Sequence, residues 1–169
     1  MTSSGDKAVV PVEVKAVVPT SGGCAVFLGD DEKVFVIHVD PVVGAAIAGA
    51  LGGVPAIRPQ THDLIGALLL AFGGKVERVV VNDFKNDVFY ARLILSEENE
   101  VQERKVVELD ARPSDAIAVA LRQKAPLFVV QSVWDGAEDV TELLEKLADQ
   151  GLVPRPEDGE NEIGGLDAE

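Results

Sequence analysis

The sequence predicts an α+β fold: a single compact domain of antiparallel strands and helices with an internal duplication, in which a strand hairpin, a strand and a helix occur twice. Three observations carry this. β-rich segments lie side by side with short polar turns between them, and helical segments follow such groups instead of alternating with single strands. Laying Val39-Asp40 over Leu109-Asp110 also sets Ala46, Ile47, Ala48, Ala50 and Leu51 on Ala116, Ile117, Ala118, Ala120 and Leu121.

In order, Ala8 to Val18 is a strand, and Cys24 to Gly29 pairs with Lys33 to Val39 around Asp30-Asp31-Glu32. Pro41 to Leu51 is a helix capped by Asp40 and closed by Gly52-Gly53. A second apolar helix runs from about His62 to Phe72, again before a glycine pair. Val76 to Asn82 and Val88 to Ser96 make a hairpin turning at Phe84-Lys85-Asn86-Asp87. A charged connection, Glu97 to Glu103, leads to the strand Lys105 to Leu109. The period then switches between Asp110 and Asp115 into a helix reaching Leu121, with either Pro113 at its first position or Ser114 as its cap. Pro126 to Val130 is a short strand, and Val140, Leu143, Leu144 and Leu147 mark an amphipathic helix.

A chain of 169 residues that is 47% hydrophobic supports one real core, expected over residues 8–150. Residues 151–169, rich in proline, glycine and acid, are expected to form a disordered tail. The formal charge is −14, of which the segment from Leu152 on carries −5. That charge argues against non-specific nucleic-acid binding, which depends on lysines and arginines displacing counterions, so any nucleic-acid contact must be local or metal-assisted. The lone cysteine, Cys24, excludes an intramolecular disulfide, and MTSSGDKAVV lacks the basic start and apolar run of a signal peptide. Both point to the cytoplasm. The uncharged stretch after Asp40 is interrupted by Gly52-Gly53-Val54-Pro55 and is too short and weakly apolar to span a membrane.

The segments Arg58-Pro59-Gln60-Thr61-His62-Asp63 and Arg112-Pro113-Ser114-Asp115 share their ingredients: arginine before proline, a hydroxyl residue, then aspartate entering a helix. If these helix starts face each other, Arg58 and Arg112 can grip phosphate oxygens, Asp63 and Asp115 can hold a divalent ion such as Mg²⁺ or Mn²⁺, and His62 can move a proton. Thr61 and Ser114 offer hydroxyls to the same substrate. Simple capping, with each arginine tied to a carboxylate, accounts for the same residues without a ligand. The first repeat has Val42-Val43-Gly44-Ala45 where the second has the Arg-Pro-Ser-Asp set, so the shared packing does not explain the polar groups. In the hairpin, Tyr90 can stack a base while Arg92 holds a phosphate, both on the strand face opposite Phe89, Ala91 and Leu93. His38 shares a strand face with Val34 and Val36 and is expected to be structural. Trp134 falls near a turn. No zinc-type His/Cys spacing, GxSxG or Gly-rich phosphate loop is present.

Taken in order and spacing, Arg58-Pro59-Gln60-Thr61-His62-Asp63-Leu64, Phe89-Tyr90-Ala91-Arg92 and Asp110-Ala111-Arg112-Pro113-Ser114-Asp115-Ala116-Ile117 resemble the bifunctional nuclease family over roughly Val12 to Val130. The resemblance implies a compact α+β domain, a homodimer, and degradation of both RNA and DNA. It places function on Arg58, Thr61, His62, Asp63, Arg112, Ser114 and Asp115. Where that family usually carries an acidic residue in the first repeat, this chain has Gly44-Ala45. Together the residues lead to a metal-assisted phosphodiester hydrolase with catalytic His62, Asp63 and Asp115. The competing expectation is a non-enzymatic dimeric module that binds an anion or a protein.

Overall fold

A computed structural model describes residues 7–98 and 104–155. Strands β1 (Val9–Thr20), β2 (Gly23–Gly29) and β3 (Val34–Val39) form an antiparallel meander, followed by α1 (Pro41–Leu51) and α2 (Thr61–Ala71). A second meander of β4 (Gly74–Lys85), β5 (Val88–Glu98) and β6 (Arg104–Ala111) leads into α3 (Pro113–Gln123). The short β7 (Leu127–Val130), α4 (Gln131–Gly136) and α5 (Thr141–Asp149) follow. Among the described residues the seven strands make one sheet in the order β3-β2-β1-β7-β4-β5-β6. β7 lies at its centre, antiparallel to β1 and parallel to β4. The two meanders are therefore the duplicated arms, one on each side of β7.

Burial follows the repeat register read from the sequence. Val43, Gly44 and Ile47 of α1 are buried, as are their counterparts Pro113, Ser114 and Ile117 of α3. The helix starts, however, fall at Pro41 and Pro113, two positions out of step, because β6 continues through Ala111. Asp40 caps α1, its Oδ1 accepting the Val43 N–H at 2.9 Å. Asp110, its aligned counterpart, stays in a strand opposite Arg92. A Cβ on Gly44 would overlap the Sγ of the buried Cys24, so α1 can sit against β2 only with glycine there. An acidic side chain at position 44 has no room.

Helices α1 and α2 both pack on α3, and the main core gathers Val26, Leu28, Phe35, Ile47, Val79, Ile117, Val119 and Val129. On the other side of the first arm, α5 and Val153 cover Ala16, Phe27 and Val34. Packing thus continues past Gly151. The remaining tail, 156–169, and residues 99–103 of the expected charged connection lie outside the described residues.

Two local features differ from expectation. β4 and β5 run on to a two-residue turn, Asn86-Asp87, with φ of 51° and 61°, in place of a four-residue one. Such a left-handed pair matches the twist of a hairpin, and Asn and Asp tolerate it. Trp134 belongs to the short helix α4 and is buried edge-on to Phe35, with ring centroids 6.1 Å apart. Among the described residues no helix is long and apolar enough to cross a membrane.

Candidate active site at three helix starts

The packing of α1 and α2 on α3 brings three helix N-termini together, and Asp115 joins them. It lies in the first turn of α3, where the dipole favours a carboxylate. Its Oδ1 is 3.1 Å from Nε2 of His62, in the first turn of α2, and its Oδ2 accepts from Arg112 Nε at 2.7 Å. Arg112 in turn lies 3.5 Å from Asp40, the cap of α1. Partial burial opposes ionisation of Asp115, but the hydrogen bonds from Arg112 and His62 and their charges outweigh it and lower its pKa. The same partner raises the pKa of Arg112. An ionised carboxylate can only accept, so His62 must donate from Nε2, and Nδ1 is left as the atom that can take up a proton. His62 is buried, which limits competing water.

Two cavities flank this chain of contacts. One, of about 730 Å³, is bounded by the start of α1 and by Pro59, Gln60, Thr61 and His62. The other, of about 340 Å³, lies between β3 and the start of α3, with His38, Arg112 and Ser114 in its walls. Thr61 is exposed at the first, and Ser114 is buried at the second. Arg58 is exposed on the loop leading into α2, and among the described residues no ion pair or hydrogen bond engages its side chain. Gln60 and Arg112, rather than Thr61 and Ser114, are the N-cap residues.

Asp63 is not drawn into the cluster. Its Oδ2 accepts the Gln60 N–H at 2.9 Å and its Oδ1 lies 3.3 Å from Arg122 Nε, at the far end of α3. Seven residues of helix separate Asp115 from Arg122, about 10 Å of rise. The oxygens of Asp63 and Asp115 are each occupied by different partners and do not converge, so the pair as placed does not fit a shared metal ion. No group of three His, Cys, Asp or Glu side chains suited to a metal occurs among the described residues. Asp63 instead positions His62: with Arg122, which also donates to the Val54 carbonyl at 3.2 Å, it fastens α2 and the preceding loop to α3.

Tyr90 and Arg92 also stand apart. Ala91 and Leu93 point into the core against α3, so their neighbours on β5 face the other side of the sheet, where Arg92 pairs with Asp110 at 3.7 Å. His38, by contrast, is exposed and faces the smaller cavity instead of serving the core. The sequence signal for it was its place two residues before the Asp40 cap.

A histidine, a carboxylate and an arginine are held in one chain of contacts at converging helix starts of a duplicated α+β domain, an arrangement that can move a proton and hold an anion. The family model described as the bifunctional nuclease domain matches residues 26–142, more than half of the chain, and the chain belongs to that family. An uncharacterized protein of Mycobacterium tuberculosis is 39% identical over 89 residues, covering 53% of this chain and 49% of that protein. Bifunctional nuclease 1 of Oryza sativa is 30% identical over 83 residues, 49% of this chain and 24% of its own length. Bifunctional nuclease 1 of Arabidopsis thaliana is 31% identical over 83 residues, 49% and 25% respectively. The chain thus matches half or less of the length of these relatives.

The lowered pKa of Asp115 carries a stability consequence whose sign follows from linkage. A carboxylate depressed by folding stabilises above its unfolded pKa, and the contribution is lost as pH falls through the folded value. Wild type is therefore expected to exceed Asp115→Asn in unfolding free energy at pH 7, with the gap closing below about pH 4. Urea denaturation across that range measures it; a gap that is absent at pH 7, or that persists in acid, contradicts the ion-pair role.

Proposed function

We propose that the protein is a phosphodiester hydrolase acting on RNA and DNA. The observation that carries this is the His62–Asp115–Arg112 chain set between two cavities. Arg112 binds the phosphate, because a guanidinium already oriented by Asp115 loses little freedom on gripping oxygens. His62 acts as acid or base through Nδ1, with Asp115 fixing the tautomer and ring orientation. Arg58 and Thr61, on the approach to His62, supply further contacts to the chain of the substrate. Family membership and the names of the plant relatives support the nucleic-acid substrate. A divalent ion, Mg²⁺ or Mn²⁺, enters as a requirement to be tested and not as a step, since Asp63 and Asp115 do not share a position for one.

The test is cleavage of labelled single-stranded RNA and DNA with Mg²⁺, Mn²⁺ or EDTA. Folded His62→Gln is expected to lower kcat by about 10²-fold or more, as loss of a general acid or base does. Arg112→Lys is expected to lower kcat/KM by about tenfold through the lost bidentate contact. Wild type that cleaves neither substrate, or a His62→Gln variant as fast as wild type, removes the catalytic assignment and leaves the non-enzymatic module.

The proposal includes a homodimer. Leu64, Leu68, Leu70 and Phe72 of α2 and its C-cap are exposed, as are Val42 and Ile57 nearby. Large apolar side chains exposed together on one helix are the kind of surface that association covers. It is also poor in charge, so two copies of −14 can approach there with the least repulsion. Light scattering after size exclusion is expected to give a dimer for wild type and a monomer for Leu68→Glu; a monomeric wild type refutes the dimer.

A further inference from the structure

We propose that the cleft between β3 and the start of α3 binds one unpaired nucleotide, its phosphate at Arg112 and His38 and its base against Val88 and Phe89. The class of ligand rests on the nuclease reading; the pocket is tested by binding alone. Its volume of about 340 Å³ lies at the small end of ligand sites, a size for a single nucleotide and not for a duplex.

The lining is mixed in chemistry. Arg112 has its Nε engaged by Asp115 at 2.7 Å but meets Asp40 only at 3.5 Å, so the guanidinium keeps donors for an oxyanion. Exposed His38, on β3, and Ser114, at the start of α3, also line the cleft. Phe89, also in the lining, packs against Phe35 and Phe84 with ring centroids 5.6 and 4.3 Å away, so the ring it offers to a base is already fixed in place. Val88 is exposed beside it. Asp87, at the hairpin turn, offers a carboxylate to a sugar hydroxyl or a base amino group. Together with Asp40 it also repels a second phosphate, which limits the cleft to one. A base can enter only if it is unpaired, so the favoured ligands are a single-stranded end or a released mononucleotide.

Calorimetric titration of the full chain with adenosine 5′-monophosphate, beside adenosine and inorganic phosphate, tests this. The nucleotide is expected to bind at least about tenfold more tightly than either fragment. His38→Ala, which removes the donor to the phosphate, and Val88→Glu, which sets a charge against the base, are each expected to weaken binding about tenfold. Lys146→Gln on α5, a control that also alters charge, should leave binding as in wild type. No binding of the nucleotide, or equal binding by wild type and both cleft variants, overturns the pocket. RNA cleavage by the same preparations separates the two claims: cleavage with variant-insensitive nucleotide binding removes the pocket alone, and variant-sensitive binding without cleavage removes the hydrolase alone.

Discussion

The arrangement of the site depends on one carboxylate, Asp115, accepting from two side chains of different segments. His62 comes from α2 and Arg112 from the strand-to-helix junction, and neither has another strong partner among the described residues. Without that carboxylate, the buried imidazole has no acceptor at Nε2 and the guanidinium no fixed orientation. The helix dipole of α3 and the duplicated packing of α1 and α3 place the carboxylate where both can reach it. Asp63 and Arg122 do the complementary work at the other end of α3, holding α2 down so that His62 arrives at the right turn.

The charge distribution fits a local site. A chain at −14 repels a polyanion at long range, so the proposed nucleic-acid contact would have to rest on short-range groups such as Arg112, His38 and Arg58 and not on a basic surface. The same repulsion favours the apolar face of α1 and α2 over the charged surface for the dimer proposed above. One end of α2 thus reaches the candidate site, and its outward side chains are those on which the proposed dimer rests.

Much of the fold was legible because local rules and tertiary packing agree. Asp40 caps the helix that its sequence position predicted, and the Ile47 and Ile117 repeat marks the two equivalent core positions. What escaped depends on pairing between distant segments. Nothing local places Leu127–Val130 in the middle of the sheet, and α4 is a six-residue helix with no side-chain cap to announce it. At the site, the recurrence of arginine, proline, hydroxyl and aspartate placed His62, Arg112 and Asp115 in one cluster. It did not separate Asp63 from them, because the partner that claims Asp63, Arg122, lies 59 residues along the chain and was unremarkable in sequence. Tyr90 and Arg92 were assigned to the right strand face, but only the sheet's packing shows that this face is turned away from the helices.

The His62–Asp115 contact is the one on which the geometry of the site turns. A double-mutant cycle on unfolding free energy, with His62→Ala, Asp115→Ala and the double variant, measures their coupling directly. A favourable coupling of at least about 0.5 kcal/mol is expected at neutral pH. Strict additivity of the two substitutions would contradict it.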